Sequence, residues 1–186
     1  MIKSYKYISN LAPSGLFSPI GHIHVLLALF LAIVMAFAVG TALGFEHIGG
    51  YMPCELCLVE RVPYYIGVPI MFITAILSAK NCPSVIVRLL FVIVALLMFY
   101  DCAISIYHAG AEYKFWPGPS SCSAGATRTI ADANDLLGSL SKIRPPSCDQ
   151  APGYFLGLSF AGWNVVATFF LGAVALIGAF IKHKNK

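Results

Sequence analysis

The chain has 186 residues, 59% of them hydrophobic and only 11% charged. Soluble domains carry roughly 45–50% apolar and about 25% charged residues, so this composition excludes a water-facing globule, a disordered chain, a coiled coil and a nucleic-acid module. Net charge is +4, from 12 basic and 8 acidic residues, and six cysteines are too few for a small disulfide-stapled scaffold.

The first apolar run, Val25 to Gly44, is 20 residues without a charge, enough as a helix to cross a hydrocarbon layer of about 30 Å. Lys3 and Lys6 precede it, and Ala36-Phe37-Ala38 loosely resembles a signal-peptidase site. The run continues past that site, however, which favours a retained span. The second, 62–79, contains Pro63 and Pro69, so its ends are blurred and a kink near Pro69 is expected. The third, 85–107, has Arg88 near one end and Asp101 near the other. The fourth lies at about 156–179 within the uncharged run Tyr154 to Ile181, the excess serving as an interfacial lead-in. The expected fold is therefore all-α: a single integral membrane domain over 1–186, built as a four-transmembrane-helix bundle.

Charge placement orients the bundle. Both termini and the short 80–88 linker share one side, which holds Lys3, Lys6, Lys80, Arg88, Lys182, Lys184 and Lys186 and no acid. The loops 45–61 and 108–153 on the other side carry five basic and seven acidic residues. Termini and linker are thus expected in the cytoplasm, the two larger loops outside. In the second loop, residues 130–143 place Ile130, Ala133, Leu136, Leu137 and Leu140 on one helical face. That segment is too short and polar to span, so it reads as a membrane-parallel helix.

Four cysteines, Cys54, Cys57, Cys122 and Cys148, fall in the external loops, where disulfides persist. Cys82 reads as an inert linker thiol and Cys102 as a small buried hydrophobe. Cys54-Glu55-Leu56-Cys57 has the spacing of redox dithiols and also of metal sites. It precedes the second span, so Cys57 should fall in the first helical turn, where the helix N-terminus favours a thiolate. Glu55 would work against that thiolate. Arg61, four residues on, shares the Cys57 face and can stabilise a thiolate or bind a polar head group; simple anchoring at the interface, with Glu60, is the plainer alternative.

A zinc site has enough external Cys and His on paper, with His47 and His108 added. Only one close cysteine pair exists, however, and Cys122 and Cys148 are 26 residues apart. Two disulfides, Cys54–Cys57 and Cys122–Cys148, fit better, and no metal is expected. A bridge over a two-residue gap restrains little chain, which points to exchange chemistry over stapling. On the third helix Asp101, Ser105, His108 and Glu112 share one face if the helix runs through Gly110. An acid two turns into a span needs a partner or a protein-lined pocket, whether its role is functional or structural.

Pro53-Cys54-x-x-Cys57-x-x-x-Arg61, with Tyr107-His108-x-Gly110-x-Glu112-x-Lys114-Phe115-Trp116-x-Gly118-Pro119-x-x-Cys122 and the Pro-x-Cys148-Asp149 element, resembles the disulfide bond formation protein B family. The resemblance covers nearly the whole chain and implies a bacterial inner-membrane, quinone-linked thiol:disulfide oxidoreductase. It implies that a reduced periplasmic thioredoxin-fold oxidase attacks Cys122 and that electrons pass from Cys148 to Cys54. Cys57 then lies against a membrane quinone, ubiquinone before menaquinone, near Arg61 and His108. A specialised relative with a dedicated substrate is the alternative within the family, and a metal-binding tetraspan protein the alternative outside it.

Overall fold

The computed structural model describes residues 21–50, 52–80, 82–119, 148–149, 151 and 153–181. Four helices long and apolar enough to cross a membrane form the bundle: α1 (His22–His47), α2 (Glu55–Ala79), α3 (Ser84–Glu112) and α4 (Phe160–Phe180). A two-stranded antiparallel hairpin, β1 (Tyr154–Phe155) and β2 (Leu158–Ser159), precedes α4. Cys122 and the 130–143 segment lie outside the described residues.

The middle of the bundle is apolar within and on its outer face, as a lipid-solvated protein requires. Leu31, Met35, Met71, Phe91, Val94, Met98 and Leu171 form the sealed interior, while Leu26, Phe37, Leu96 and Phe169 face outward. With lipid as apolar as leucine, close packing of small residues carries much of the helix association. Gly178 illustrates it: a methyl there would come within 2.6 Å of the Phe91 ring, so α3 and α4 meet through a glycine-on-aromatic contact.

Every helix is longer, or begins elsewhere, than the charge-free runs suggest. α2 starts at Glu55, seven residues before the expected position, because Cys54 in extended conformation caps it and accepts the Cys57 N–H. It runs unbroken through Pro63 and Pro69. α3 continues through Gly110 to Glu112. The fourth lead-in is not helical. Leu156 and Gly157, both at positive φ (52° and 84°), make the two-residue turn that pairs Phe155 with Leu158, as a primed hairpin turn requires. Ser159 then caps α4, accepting the Gly162 N–H at 3.1 Å.

Arg88, counted above among the basic residues of the linker side, is sealed within the bundle end. It is 1% exposed, and its guanidinium donates to the carbonyls of Ala179 (2.6 Å) and Ile181 (3.1 Å). Those are orphan acceptors at the end of α4, where a cation also meets the negative end of the helix dipole.

Candidate active site

At the opposite end of the bundle, the C-termini of α1 and α3 meet the N-termini of α2 and α4. Their helix ends bring the chemistry-bearing residues together. Cys54 is buried at the α2 N-cap, and Cys57 is half-buried one turn in. Both thiols are free, with sulfurs 2.8 Å apart and hydrogen-bonded. The disulfide expected between them is therefore open here, and the site is in its dithiol form. The stabilising backbone N–H also belongs elsewhere than expected: Cys54 Sγ, not Cys57 Sγ, accepts it, at 3.2 Å. The hydrogen bond shared with Cys57 holds the Cys54 thiol below its ordinary range; burial pushes the other way, and the backbone N–H adds to the lowering.

His108, from the last turns of α3, closes over the dithiol. Its Nε2 lies 3.5 Å from Cys54 Sγ, and its Nδ1 is 2.9 Å from Glu60 Oε1. A carboxylate can only accept, so Nδ1 carries the proton and Nε2 presents its lone pair to the sulfur. Glu112, one turn beyond on α3, has Oε1 3.8 Å from the same Nε2. All four polar residues of the α3 stripe, Asp101, Ser105, His108 and Glu112, are buried.

Behind Glu60 the network is centred on Asn164 of α4. Its amide nitrogen donates to Ser105 Oγ at 2.8 Å, to Glu60 Oε2 at 3.4 Å and to Asp101 Oδ2 at 3.5 Å. Its amide oxygen accepts from the Tyr64 hydroxyl at 2.7 Å. Asp101 thus has one partner, Asn164, through Oδ2, while its Oδ1 is buried with no hydrogen-bond partner among the described residues. Tyr64 and Asn164 were not singled out in the sequence, and Glu60 figured there only as a companion of Arg61 in anchoring the helix end. A lone amide in a 28-residue uncharged run is the signal that could have found Asn164, since polar side chains in spans seek partners on neighbouring helices.

A cavity of about 280 Å³ opens beside the dithiol. Ala38, Val39, Ala42 and Phe45 of α1 and Phe160 of α4 supply apolar wall; Cys54, Cys57, Arg61 and His108 supply the chemistry. Arg61 is ion-paired through Nη1 with Glu46 of α1, a partner the sequence did not suggest. The pair ties α1 to α2 at the rim and sets the guanidinium's orientation.

Cys148 is disulfide-bonded and 1% exposed, with its bonding partner outside the described residues. Although Cys148 falls in an external loop, its sulfur is sealed from solvent. Lys114, at positive φ (62°), reaches from the end of α3 to donate to Asp149 O and Oδ2, both at 2.7 Å, and so holds the Cys148 segment against the bundle.

The family model described as "Disulfide bond formation protein DsbB" matches residues 24–178, through all four helices and the site. The chain belongs to the DsbB family. It is accordingly a quinone-linked thiol:disulfide oxidoreductase of the inner membrane. A Rickettsia prowazekii (strain Madrid E) protein described as "Uncharacterized protein RP370" is 24% identical over 141 residues, covering 75% of this chain and 78% of that protein. No solved structure matches. For a DsbB-family enzyme the apolar walls of the cavity fit a quinone ring.

Proposed function

We propose that this chain reoxidises a periplasmic thioredoxin-fold dithiol oxidase, with Cys122 and Cys148 as the entry pair and Cys54 and Cys57 as the exit pair. The reading that carries this is the convergence of a dithiol, His108 and Arg61 on one apolar cavity. The partner's thiolate attacks Cys122; Cys148 leaves as a thiolate and attacks Cys54 of the oxidised exit pair, displacing Cys57. The burial of Cys148 supports Cys122 as the sulfur open to an outside thiol. Cys57, which lines the cavity together with Arg61, is the sulfur we assign to face the quinone.

Bound quinone supplies a two-electron, two-proton sink. The dithiol gives up those electrons and protons as its disulfide closes. His108 Nε2 takes the Cys54 proton, and Glu60 steadies the imidazolium that results. Arg61 offsets negative charge at the cavity rim, and the helical walls keep water away. The apolar lining of the cavity supports a quinone as the acceptor, and ubiquinone is the type we assign. The excess of Lys and Arg at the termini and linker supports cytoplasmic termini, with 45–61 and 108–153 as periplasmic loops of one integral domain.

The test is quinone-dependent reoxidation of a reduced thioredoxin-fold oxidase by the purified protein. Cys57→Ser should abolish quinone reduction, while Cys82→Ser leaves it intact. Quinone reduction by the Cys57→Ser protein at the wild-type rate refutes the assignment.

A further inference from the structure

The dithiol and His108 have a geometry with a second use. Cys54 Sγ, Cys57 Sγ and a His108 ring nitrogen all lie within 4.8 Å of one another. We propose that the reduced site is also a soft-metal site: Cys54, Cys57 and His108 bind a thiophilic divalent cation of the Zn²⁺ class, which forms only in the dithiol state and blocks turnover.

Three observations carry this beyond a chance cluster. First, the donor set is right: two sulfurs and an imidazole are the ligands zinc prefers, at about 2.3 Å for sulfur and about 2.0 Å for nitrogen. Tetrahedral angles at those lengths put the sulfurs nearly 4 Å apart, so from 2.8 Å they need open by only about 1 Å. Second, the histidine is already oriented. Its Nδ1–H is held by Glu60 at 2.9 Å, leaving Nε2 aimed at Cys54. This is the carboxylate–histidine arrangement that fixes the tautomer of metal-ligating imidazoles and raises their basicity. Third, a fourth ligand is at hand. Glu112 is 5% exposed with Oε1 3.8 Å from His108 Nε2, and its Oε2 is buried with no hydrogen-bond partner among the described residues.

Binding replaces two S–H bonds with two metal–sulfur bonds and releases the thiol protons; no electron moves, because zinc is redox-inert. The cation thereby occupies both sulfurs that must form the disulfide and stands at the cavity wall. A closed Cys54–Cys57 bridge offers no thiolate, so the site exists only between arrival of electrons and their departure. The inference rests on the dithiol's placement described above, and on no step of the electron-transfer sequence.

The experiment uses the full chain in detergent, freed of quinone, with Zn²⁺ alone as the probe against a competing chelator. The dithiol form should retain one zinc per chain and the disulfide form none. Co²⁺ in its place should give sulfur-to-metal charge-transfer absorption. Glu60→Gln, which keeps shape and loses charge, should weaken binding about 10- to 100-fold; His108→Ala should weaken it at least as much. Cys82→Ser and Cys102→Ser should bind as wild type. Equal retention by the disulfide form, a cobalt spectrum without thiolate bands, or wild-type affinity in the folded Glu60→Gln protein overturns the proposal. Metal-free quinone reduction, measured on the same preparation, separates the two readings. Activity without zinc binding sinks only this inference; zinc binding without activity sinks only the proposed function.

Discussion

Glu60 is the residue whose replacement tests the site most sharply. It accepts from His108 Nδ1 at 2.9 Å and from Asn164 Nδ2 at 3.4 Å with its two oxygens. In Glu60→Gln one oxygen becomes an amide nitrogen. If the remaining oxygen serves His108, the new NH₂ group faces the NH₂ of Asn164, donor against donor. The hydrogen bond to an ionised acceptor is worth about 1.5–3 kcal/mol, and it matters most when His108 has taken the thiol proton. At about 1.4 kcal/mol per tenfold, the dithiol-to-quinone step should slow roughly 10- to 100-fold. The assay is single-turnover stopped flow: prereduced protein is mixed with quinone, and quinone absorbance is followed. Quinone affinity should change little, because Glu60 is oriented toward His108 and Asn164. A folded Glu60→Gln protein that reduces quinone within twofold of the wild-type rate refutes the proton-acceptor role of His108.

Three further outcomes follow from the same geometry. Arg61→Met removes the rim cation and strands Glu46; steady-state kinetics should show KM for quinone rising about tenfold with a smaller change in kcat, as for loss of a charge-assisted contact. Gly110→Ala would drive a methyl into the Trp116 ring. The indole must move, giving up its 2.9 Å bond to Tyr107 O and its stack on Tyr107. Such overpacking costs roughly 1–3 kcal/mol, so the melting temperature in detergent should fall; an unchanged value contradicts the packing described. The lowered Cys54 thiol predicts a pH dependence confined to the dithiol form. A native pKa below the unfolded value of about 8.5 means the unfolded chain binds more protons between the two, so stability rises with pH there and is lost as pH falls through the native value. Melting of the reduced protein should show that rise, and reduced Cys54→Ser should not.

Much of this protein is legible without coordinates, for a physical reason. A bilayer imposes one length and one polarity on whatever crosses it, so four spans appear as four charge-poor runs. Helical periodicity likewise put Asp101, Ser105, His108 and Glu112 on one face, and all four are buried together. The cysteines and Arg61 stood out because their chemistry is costly or reactive at a membrane surface. Element ends were less accessible. Cys54 caps α2 through its sulfur, and Leu156–Gly157 adopts a positive-φ turn inside an uncharged run, and neither leaves a mark in hydropathy.

Partnerships across helices were decided by the tertiary structure alone. Glu60 and Arg61 are adjacent in sequence, yet successive helical residues point about 100° apart. One turns inward to His108, and the other reaches the rim to pair with Glu46. Asn164 joins three helices from a run that looked uniformly apolar. Composition and charge settled that the chain is a membrane bundle with four of its six cysteines in the loops of the acidic side, because those are properties of each segment separately. Which sulfur meets the backbone N–H, which histidine nitrogen meets the sulfur, and which acid holds the histidine depend on how separate helices are set against one another, and packing alone sets that.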